Sequence, residues 1–174
     1  ADLRRAREQA VDGVVMVATE SAEVRQAVSD LRGAGIQVVT LISDLSASAR
    51  GHFVGIDNVS AGRTAAGLLG RFCQGRPGRI AIIAGSMLVR DHVERRLGFE
   101  QVMHAEFPDL QLLPPVEGGD EAARVDELLT NVLQDCRDIV GIYSLGGGNR
   151  GLRAALDRAK SSPRPLVVVH ELTD

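Results

Sequence analysis

The stretch RIAIIAG, at residues 79–85, decides the fold of this 174-residue chain. It is almost wholly aliphatic, which is typical of a strand that is buried on both faces of a sheet. The runs VVMVA at residues 14–18 and LVVV at residues 166–169 have the same character. Because these runs alternate with helical stretches, the sequence predicts an α/β fold in which parallel strands are joined by right-handed crossovers and flanked by helices.

Seven strands are predicted outward from this stretch. They cover Gly13–Ala18, Ile36–Ile42, Phe53–Ile56, Arg79–Ala84, Gln111–Pro115, Ile139–Tyr143 and Pro165–His170. Amphipathic helices are predicted between the strands. Ser21, Asp57 and Asp120 each stand just before such a helix, where a short oxygen-bearing side chain can accept a hydrogen bond from a free backbone amide, so all three are predicted helix caps.

Ligands of parallel α/β sheets bind beyond the carboxyl ends of the strands. This rule points to five polar or glycine-rich segments: Thr19–Ser21, Ser43–Asp44, Gly85–Asp91, Ser144–Asn149 and Glu171–Asp174. The candidate binding residues in or beside them are Asp44, Arg90, Asp91, His92, Arg95, Asn149 and Glu171. Carboxylates, Asn and Arg suit vicinal hydroxyl groups, Arg through a planar fork of donors. Taken singly, most are more simply explained as solvated loop residues or caps; Arg95, about one turn into a helix, can reach back over the strand ends.

The composition excludes several classes of protein. With 44% hydrophobic and 25% charged residues, the chain is globular rather than disordered. A net charge of −3 argues against nucleic-acid binding by this segment, and the basic run Gly75–Arg79 is better explained as a surface loop. No apolar run approaches the length of a membrane span, and no membrane contact is expected. Cys73 and Cys136 are expected to be buried free thiols in a reducing compartment, although a disulfide stays open.

A metal site and a catalytic nucleophile are not indicated. The four histidines have no i,i+4 spacing and no cysteine at ligand spacing. No G-x-S-x-G motif occurs, although Ser86 follows a glycine after a strand. The run Gly146–Gly148 lacks a phosphate-binding pattern, and it indicates either a ligand close to the backbone or a tight turn before a helix. We therefore expect no enzyme activity, no cofactor and no metal.

Four segments resemble the sensor domain of bacterial LacI-type transcription regulators and of periplasmic ribose-type binding proteins. VGIDNVSAGRTAAGLL, residues 54–69, resembles the family's D-N-x-x-A-G-x-x-A-A segment. RIAIIAG followed by RRLGF, residues 95–99, resembles its strand, loop and R-x-x-G-[FW] helix, with the family's thirteen-residue step between glycines. IYSLGGGNRGLRAAL and VVVHELTD resemble its two later strand–loop segments. The resemblance implies a two-lobed, periplasmic-binding-protein-like fold.

The resemblance also implies roles for single residues. Arg95 stands at the family's ligand-contacting arginine, and Glu171 at its strand-end acid, which is usually Asp. His170 stands where an aromatic residue is common. We expect Arg95→Ala to weaken ligand binding about tenfold or more, with little loss of stability.

The sequence departs from the family pattern at two places. The family's Asn aligns near Gly147, two residues before Asn149. Its first-lobe Asp-Arg pair aligns with Ile42-Ser43, so that Asp44 is displaced by one place. These departures leave the identity of the ligand open.

The predicted organisation follows from the resemblance and from the polar stretch SDLSASARGH, residues 43–52, which interrupts the alternation. Residues 1–52 are predicted to form part of an N-terminal lobe, 53–56 a crossover and 57–174 a C-terminal lobe. Set against the family, the chain looks truncated at both ends. We expect these residues alone to bind sugar weakly or not at all, and to self-associate through an open sheet edge.

Two functions are compatible with the sequence. The first is the effector-binding domain of a cytoplasmic, homodimeric LacI-family regulator, whose effector is a carbohydrate and whose DNA contacts are made by a separate domain. The second is the periplasmic sugar-binding receptor of an ABC transporter. The unpaired cysteines and the HELTD ending favour the regulator. An α/β enzyme is disfavoured, because no acid–base or nucleophile set can be assembled.

Overall fold

The computed structural model describes residues 3–9, 11–46, 51–159 and 163–171, without the side chain of Arg4. The described chain forms two parallel sheets in two compact units. The first unit holds the chain up to Asp57 together with Leu88–Val93, and the second holds Asn58–Met87 and the chain from Glu94 onward. The predicted α/β fold with parallel strands and flanking helices is confirmed. In the described part, no helix is both long and apolar enough to cross a membrane.

The first unit carries a three-stranded sheet. Its elements are α1 (Leu3–Glu8), β1 (Gly13–Met16), α2 (Ala22–Gly33), β2 (Gln37–Leu41) and β3 (His52–Val54), with strand order β1-β2-β3. The predicted cap of α2 is confirmed, because the Ser21 hydroxyl accepts a 3.2 Å hydrogen bond from the Val24 amide. Val28 and Leu31 of α2 pack against Val38 of β2, which buries one face of this sheet.

The opposite face of the first sheet is exposed. Val15 of β1 is paired with Val39 of β2, and Leu41 of β2 with Val54 of β3, so these side chains point the same way. Val15 is 67% exposed and Val54 50% exposed. The strand β1 also forms one edge of the sheet that the described residues build. Both features are compatible with the predicted self-association, which stays a prediction.

The second unit is built on a larger parallel sheet. Its elements are α3 (Asn58–Phe72), β4 (Gly78–Ala84), α4 (Arg90–Glu106), β5 (Leu110–Leu112), β6 (Val116–Glu117), α5 (Ala122–Asp135), β7 (Ile139–Ser144), α6 (Asn149–Ala159) and β8 (Leu166–Val169). The strand order is β5-β4-β7-β8, and β6 also pairs with β4. The first residues of α4 belong to the first unit.

Helices cover both faces of this second sheet. Alternate residues of β4, Ile80 and Ile82, pack with Leu69 of α3 and Phe99 of α4. The intervening residues, Ala81 and Ile83, pack on the other face against apolar side chains of α5 and α6. This two-sided burial is the reason that RIAIIAG has no polar alternation.

Two local predictions are wrong. The predicted strand Gln111–Pro115 ends at Leu112 in β5, because Pro114 and Pro115 lack the backbone N–H that a ladder needs, and β6 follows the two prolines as a separate strand. Asp120 does not cap α5: the N-cap is Glu121, and it makes no side-chain capping hydrogen bond. For Asp57, which directly precedes α3, the predicted cap stays a prediction.

Both cysteines are free, but their environments differ from the expected pair of buried thiols. Cys73 is buried in the cluster under α3 and α4, whereas Cys136 is only partly buried and packs against the cluster on the other side of the sheet. The sheet therefore separates them.

We expect a maleimide to label Cys136 of the native protein well before Cys73. Burial raises the pKa of the Cys73 thiol, which lowers its thiolate population, and the thiol group lies against the Val140 carbonyl oxygen at 3.6 Å. Mass spectrometry over a labelling time course measures the two rates, and denatured protein is the control in which both sites should react. Equal native rates would contradict the assignment.

Candidate functional site

The side chain of Arg95 is the centre of a polar cluster at the carboxyl end of the second sheet. Arg95 lies on α4, which follows the loop after β4, and it is buried. Its Nε donates to Oδ1 of Asn58 at 2.9 Å, and its Nη1 donates to the carbonyl oxygen of Leu145 at 2.8 Å. A guanidinium held by two acceptors in this way is fixed in orientation, which is the property that a planar ligand-binding fork needs.

Asn149 and Glu171 lie in the same cluster. Asn149 begins α6, where its Oδ1 accepts from the Ser144 hydroxyl at 3.0 Å and its Nδ2 donates to the backbone oxygen of Glu171 at 2.7 Å. The Glu171 carboxylate lies 3.9 Å from Nη1 of Arg95 and is about half exposed. Three of the predicted site residues are therefore brought together at the ends of β7 and β8.

A tyrosine–histidine pair adjoins this cluster. Tyr143 is buried and stacked on Phe99 at a centroid distance of 4.3 Å, and its hydroxyl lies 2.7 Å from Nε2 of His170. Burial raises the pKa of the Tyr143 hydroxyl above its usual range, so the group is neutral at physiological pH. His170 is thus held at the end of β8, where the family resemblance predicts an aromatic residue.

The remaining predicted residues lie in the first unit. Asp44 is buried after β2, where its Oδ1 accepts from the Thr40 hydroxyl at 2.6 Å and from the Leu45 amide at 2.8 Å. Arg90 donates to the carbonyl oxygen of Leu45 at 3.0 Å, which places the start of α4 beside the same turn.

Asp91 and His92 follow Arg90 and are both buried, with Oδ2 of Asp91 lying 3.9 Å from Nε2 of His92. The observed bonds of Asp44 and Arg90 hold the fold of their own unit, so a role for any of these four residues in ligand contact stays a prediction.

The turn after β2 is strained. Ile42 has a φ of 65°, which a β-branched residue rarely adopts, and the Ser43 amide donates to the Leu41 carbonyl oxygen at 2.7 Å in a three-residue turn. The Ser43 hydroxyl is buried and has no hydrogen-bond partner within the described part of the chain. Backbone strain and unsatisfied buried groups are concentrated at functional sites, so this turn is a candidate ligand contact within the first unit.

Two cluster residues were not predicted: Asn58 and Tyr143. Asn58 belongs to the D-N motif quoted above, and that motif was its only signal in the sequence. Tyr143 lies near the end of β7, a strand that is buried on both faces, so the apolar run around it gave no sign of a polar contact.

The chemistry of the cluster is that of recognition. It offers fixed N–H donors together with amide and carboxylate oxygens, a set that matches several hydroxyl groups at once. No group of three or more His, Cys, Asp and Glu residues that could hold a metal ion is found among the described residues.

The family model for the periplasmic binding protein domain matches residues 1–174. The chain belongs to the periplasmic binding protein family. A search of curated proteins found no match.

Solved structures with similar folds include a glucose-galactose binding protein and solute binding proteins that hold a sugar. The XylFII molecule is 22% identical with a TM-score of 0.89, and the match covers 99% of this chain and 63% of that one. GanP, a glucose-galactose binding protein from Geobacillus stearothermophilus, is 23% identical with a TM-score of 0.88, covering 96% and 59%. An ABC transporter solute binding protein from Agrobacterium vitis with bound D-fucose is 23% identical with a TM-score of 0.88, covering 96% and 58%. At these identities the likeness shows the fold alone, and this chain spans less than two thirds of the length of each.

Proposed function

We propose that this chain is a sugar-binding domain that recognises ring hydroxyl groups through Arg95, Asn149 and Glu171. The observation that carries the proposal is the fixed guanidinium of Arg95, which is buried, doubly hydrogen-bonded and close to a half-exposed carboxylate. A guanidinium donor and a carboxylate acceptor that lie 3.9 Å apart suit two neighbouring hydroxyl groups, each of which both donates and accepts.

The structural neighbours support this class of ligand. Three of them hold D-fucose, D-arabinose and D-allose. The first unit, taken by itself, has a strained turn at Ile42–Asp44 that supports a ligand-binding role for it. Within that unit we propose Asp44, Arg90, Asp91 and His92 as ligand-binding residues.

The proposal is tested by titrating the ¹⁵N-labelled chain with D-glucose, D-galactose, D-fucose, D-arabinose and D-allose, observed by NMR. This method detects dissociation constants on the order of millimolar, about −4 kcal/mol of binding free energy, as suits the weak binding expected from the sequence. We expect a saturable shift of the Arg95 Nε–H and the Asn149 side-chain amide with at least one of these sugars.

Two controls make the titration specific. The corresponding open-chain alditols carry similar hydroxyl groups without a fixed ring, and they should produce no saturable shift. The Nε–H group of Arg79 donates to Asp138 at 2.7 Å and lies at the amino end of β4, away from the cluster. Its NMR signal should not shift. Shifts confined to Arg79, or none with any sugar, would contradict the proposal.

For the biological context, we propose the effector-binding domain of a cytoplasmic, homodimeric LacI-family regulator. The two free cysteines support it, since unpaired thiols are typical of a reducing compartment. The periplasmic receptor of an ABC transporter is the second candidate, and three structural neighbours described as ABC transporter solute binding proteins favour it. Cell fractionation with an antibody against the chain distinguishes the two. Recovery from the cytoplasm, together with sugar-dependent DNA binding by the natural protein, is the outcome expected of a regulator, and periplasmic recovery would overturn it.

A further inference from the structure

We propose that Asp120 is a positioning residue that clamps the loop bearing Asn149 and thereby sets the affinity for the ligand without touching it. This inference rests on the proposed sugar-binding function. It explains a residue that does not perform the helix-capping role that its sequence position suggests.

The backbone of Asp120 is held where a glycine would be less strained. Its φ is 59°, in the left-handed region. The two preceding glycines extend the pairing with β4, because the Gly118 amide donates to the Ala84 oxygen and the Gly119 amide to the Gly85 oxygen, both at 2.8 Å. Because glycine would be less strained at this position, we attribute the presence of Asp120 to the contacts that its side chain makes.

The side chain of Asp120 joins the ends of two neighbouring strands. Its Oδ1 accepts a hydrogen bond from the Gly147 amide, which follows β7, at 2.6 Å. A Cβ atom placed on Gly85, which follows β4, would lie 2.3 Å from Oδ1 and 2.4 Å from Oδ2 of Asp120. The carboxylate therefore occupies the space that a side chain at residue 85 would need. Because β4 and β7 are paired, this one group fixes both of their loops.

The same contacts bear on the two explanations of the glycine run. Gly148 has a φ of +80°, and a Cβ atom there would lie 2.8 Å from Cγ2 of Val125. A Cβ atom on Gly147 would lie 3.2 Å from Cβ of Asp120. Glycine at residue 148 is therefore explained by the backbone and by packing against the segment that carries Asp120, which favours a tight turn.

The clamp is connected to the ligand-binding cluster through Asn149. Gly147 lies two residues before Asn149, whose side chain bonds Ser144 and the backbone of Glu171. Glu171 in turn lies against Arg95. Loss of the bond to Gly147 would free the loop and move Asn149, so the ligand would lose a correctly placed amide.

Three variants test the proposal. Asp120→Gly removes the carboxylate and relieves the backbone, Asp120→Asn removes the charge but keeps an Oδ1 acceptor, and Glu121→Gln makes the same charge change on a neighbour that makes no capping bond. The measurements are the sugar dissociation constant, the hydrogen-exchange rate of the Gly147 amide without sugar, and the urea midpoint. Because residue 120 is 27 positions away, its substitution leaves the intrinsic exchange rate of Gly147 unchanged.

For Asp120→Gly we expect about fivefold weaker binding and about fivefold faster exchange at Gly147, with an unchanged or higher urea midpoint. Asp120→Asn should restore both values to within about twofold, and Glu121→Gln should match the wild type. A merely structural role would instead lower the midpoint and the affinity together, in both Asp120 variants, and that result would overturn the proposal. If the wild type binds no sugar, the proposed function fails. The exchange measurement still decides the clamp: faster exchange at Gly147 in Asp120→Gly supports it, and unchanged exchange refutes it.

Discussion

Replacing Gly98 by alanine should destabilise the protein by about 3 kcal/mol or more, at the upper end of the range for overpacking. A Cβ atom on Gly98 would lie 2.0 Å from the carbonyl oxygen of Val59, and one on Gly62 would lie 1.9 Å from the carbonyl oxygen of Arg95. Both obstacles are backbone atoms, so α3 and α4 must move apart. Gly62→Ala should therefore have a similar effect.

Gly67→Ala is the matched control for this prediction. Gly67 lies in α3, as Gly62 does, but a Cβ atom there would meet only the end of the Arg71 side chain, at 3.8 Å. Alanine should stabilise the helix at this position by about 0.5–1 kcal/mol, because it removes the conformational entropy of glycine. Urea denaturation followed by circular dichroism measures all three variants. Equal midpoints for Gly98→Ala and Gly67→Ala would show that the helices do not cross this closely.

The close crossing of α3 and α4 links the fold to the site. Asn58 lies one turn before Gly62 on α3, and Arg95 lies three residues before Gly98 on α4. The absence of side chains at the two glycines lets the helices approach until Oδ1 of Asn58 reaches Nε of Arg95. The motifs A-G-x-x-A-A and R-x-x-G-F thus have a physical basis in this contact.

The strands could be predicted from the sequence because two-sided burial leaves a direct trace. Ile80 and Ile82 pack on one face of the sheet and Ala81 and Ile83 on the other, so all four positions are apolar. The end of β5 at Leu112 was missed because the predicted strand was extended through Pro114 and Pro115, whose missing N–H groups interrupt the ladder.

The site could be predicted in part because parallel topology gathers strand ends. The rule that ligands bind beyond the carboxyl ends of the strands led to Arg95, Asn149 and Glu171, and the structure places these three residues together. It could not give Asn58, whose contribution depends on how two helices cross, or the role of Asp120, whose partner is 27 residues away. Local sequence patterns contain no information on how two helices cross or on a contact between residues that are far apart in the chain.

Arg95→Ala should weaken sugar binding about tenfold or more and lower stability by about 2–4 kcal/mol. The loss of stability replaces the small effect expected from the sequence, because the structure shows Arg95 buried, with the oxygens of Asn58 and Leu145 accepting from it. Each acceptor left unsatisfied in the interior costs about 1–3 kcal/mol. Titration with sugar by NMR and urea denaturation measure the two effects.

Two control variants separate the effect of Arg95→Ala on sugar affinity from its effect on stability. Arg96→Ala removes the adjacent arginine, which is about one-third exposed and paired with Glu100 at i,i+4. This variant should change the free energy of unfolding by at most about 0.5 kcal/mol and leave sugar binding unchanged. Leu129→Ala removes a fully buried side chain from the opposite face of the sheet, and it should cost about 2–5 kcal/mol without changing the affinity of the folded protein. If Leu129→Ala weakens binding as much as Arg95→Ala does, the arginine acts through stability alone. If Arg95→Ala binds like the wild type, Arg95 is a structural residue, and the site must lie elsewhere.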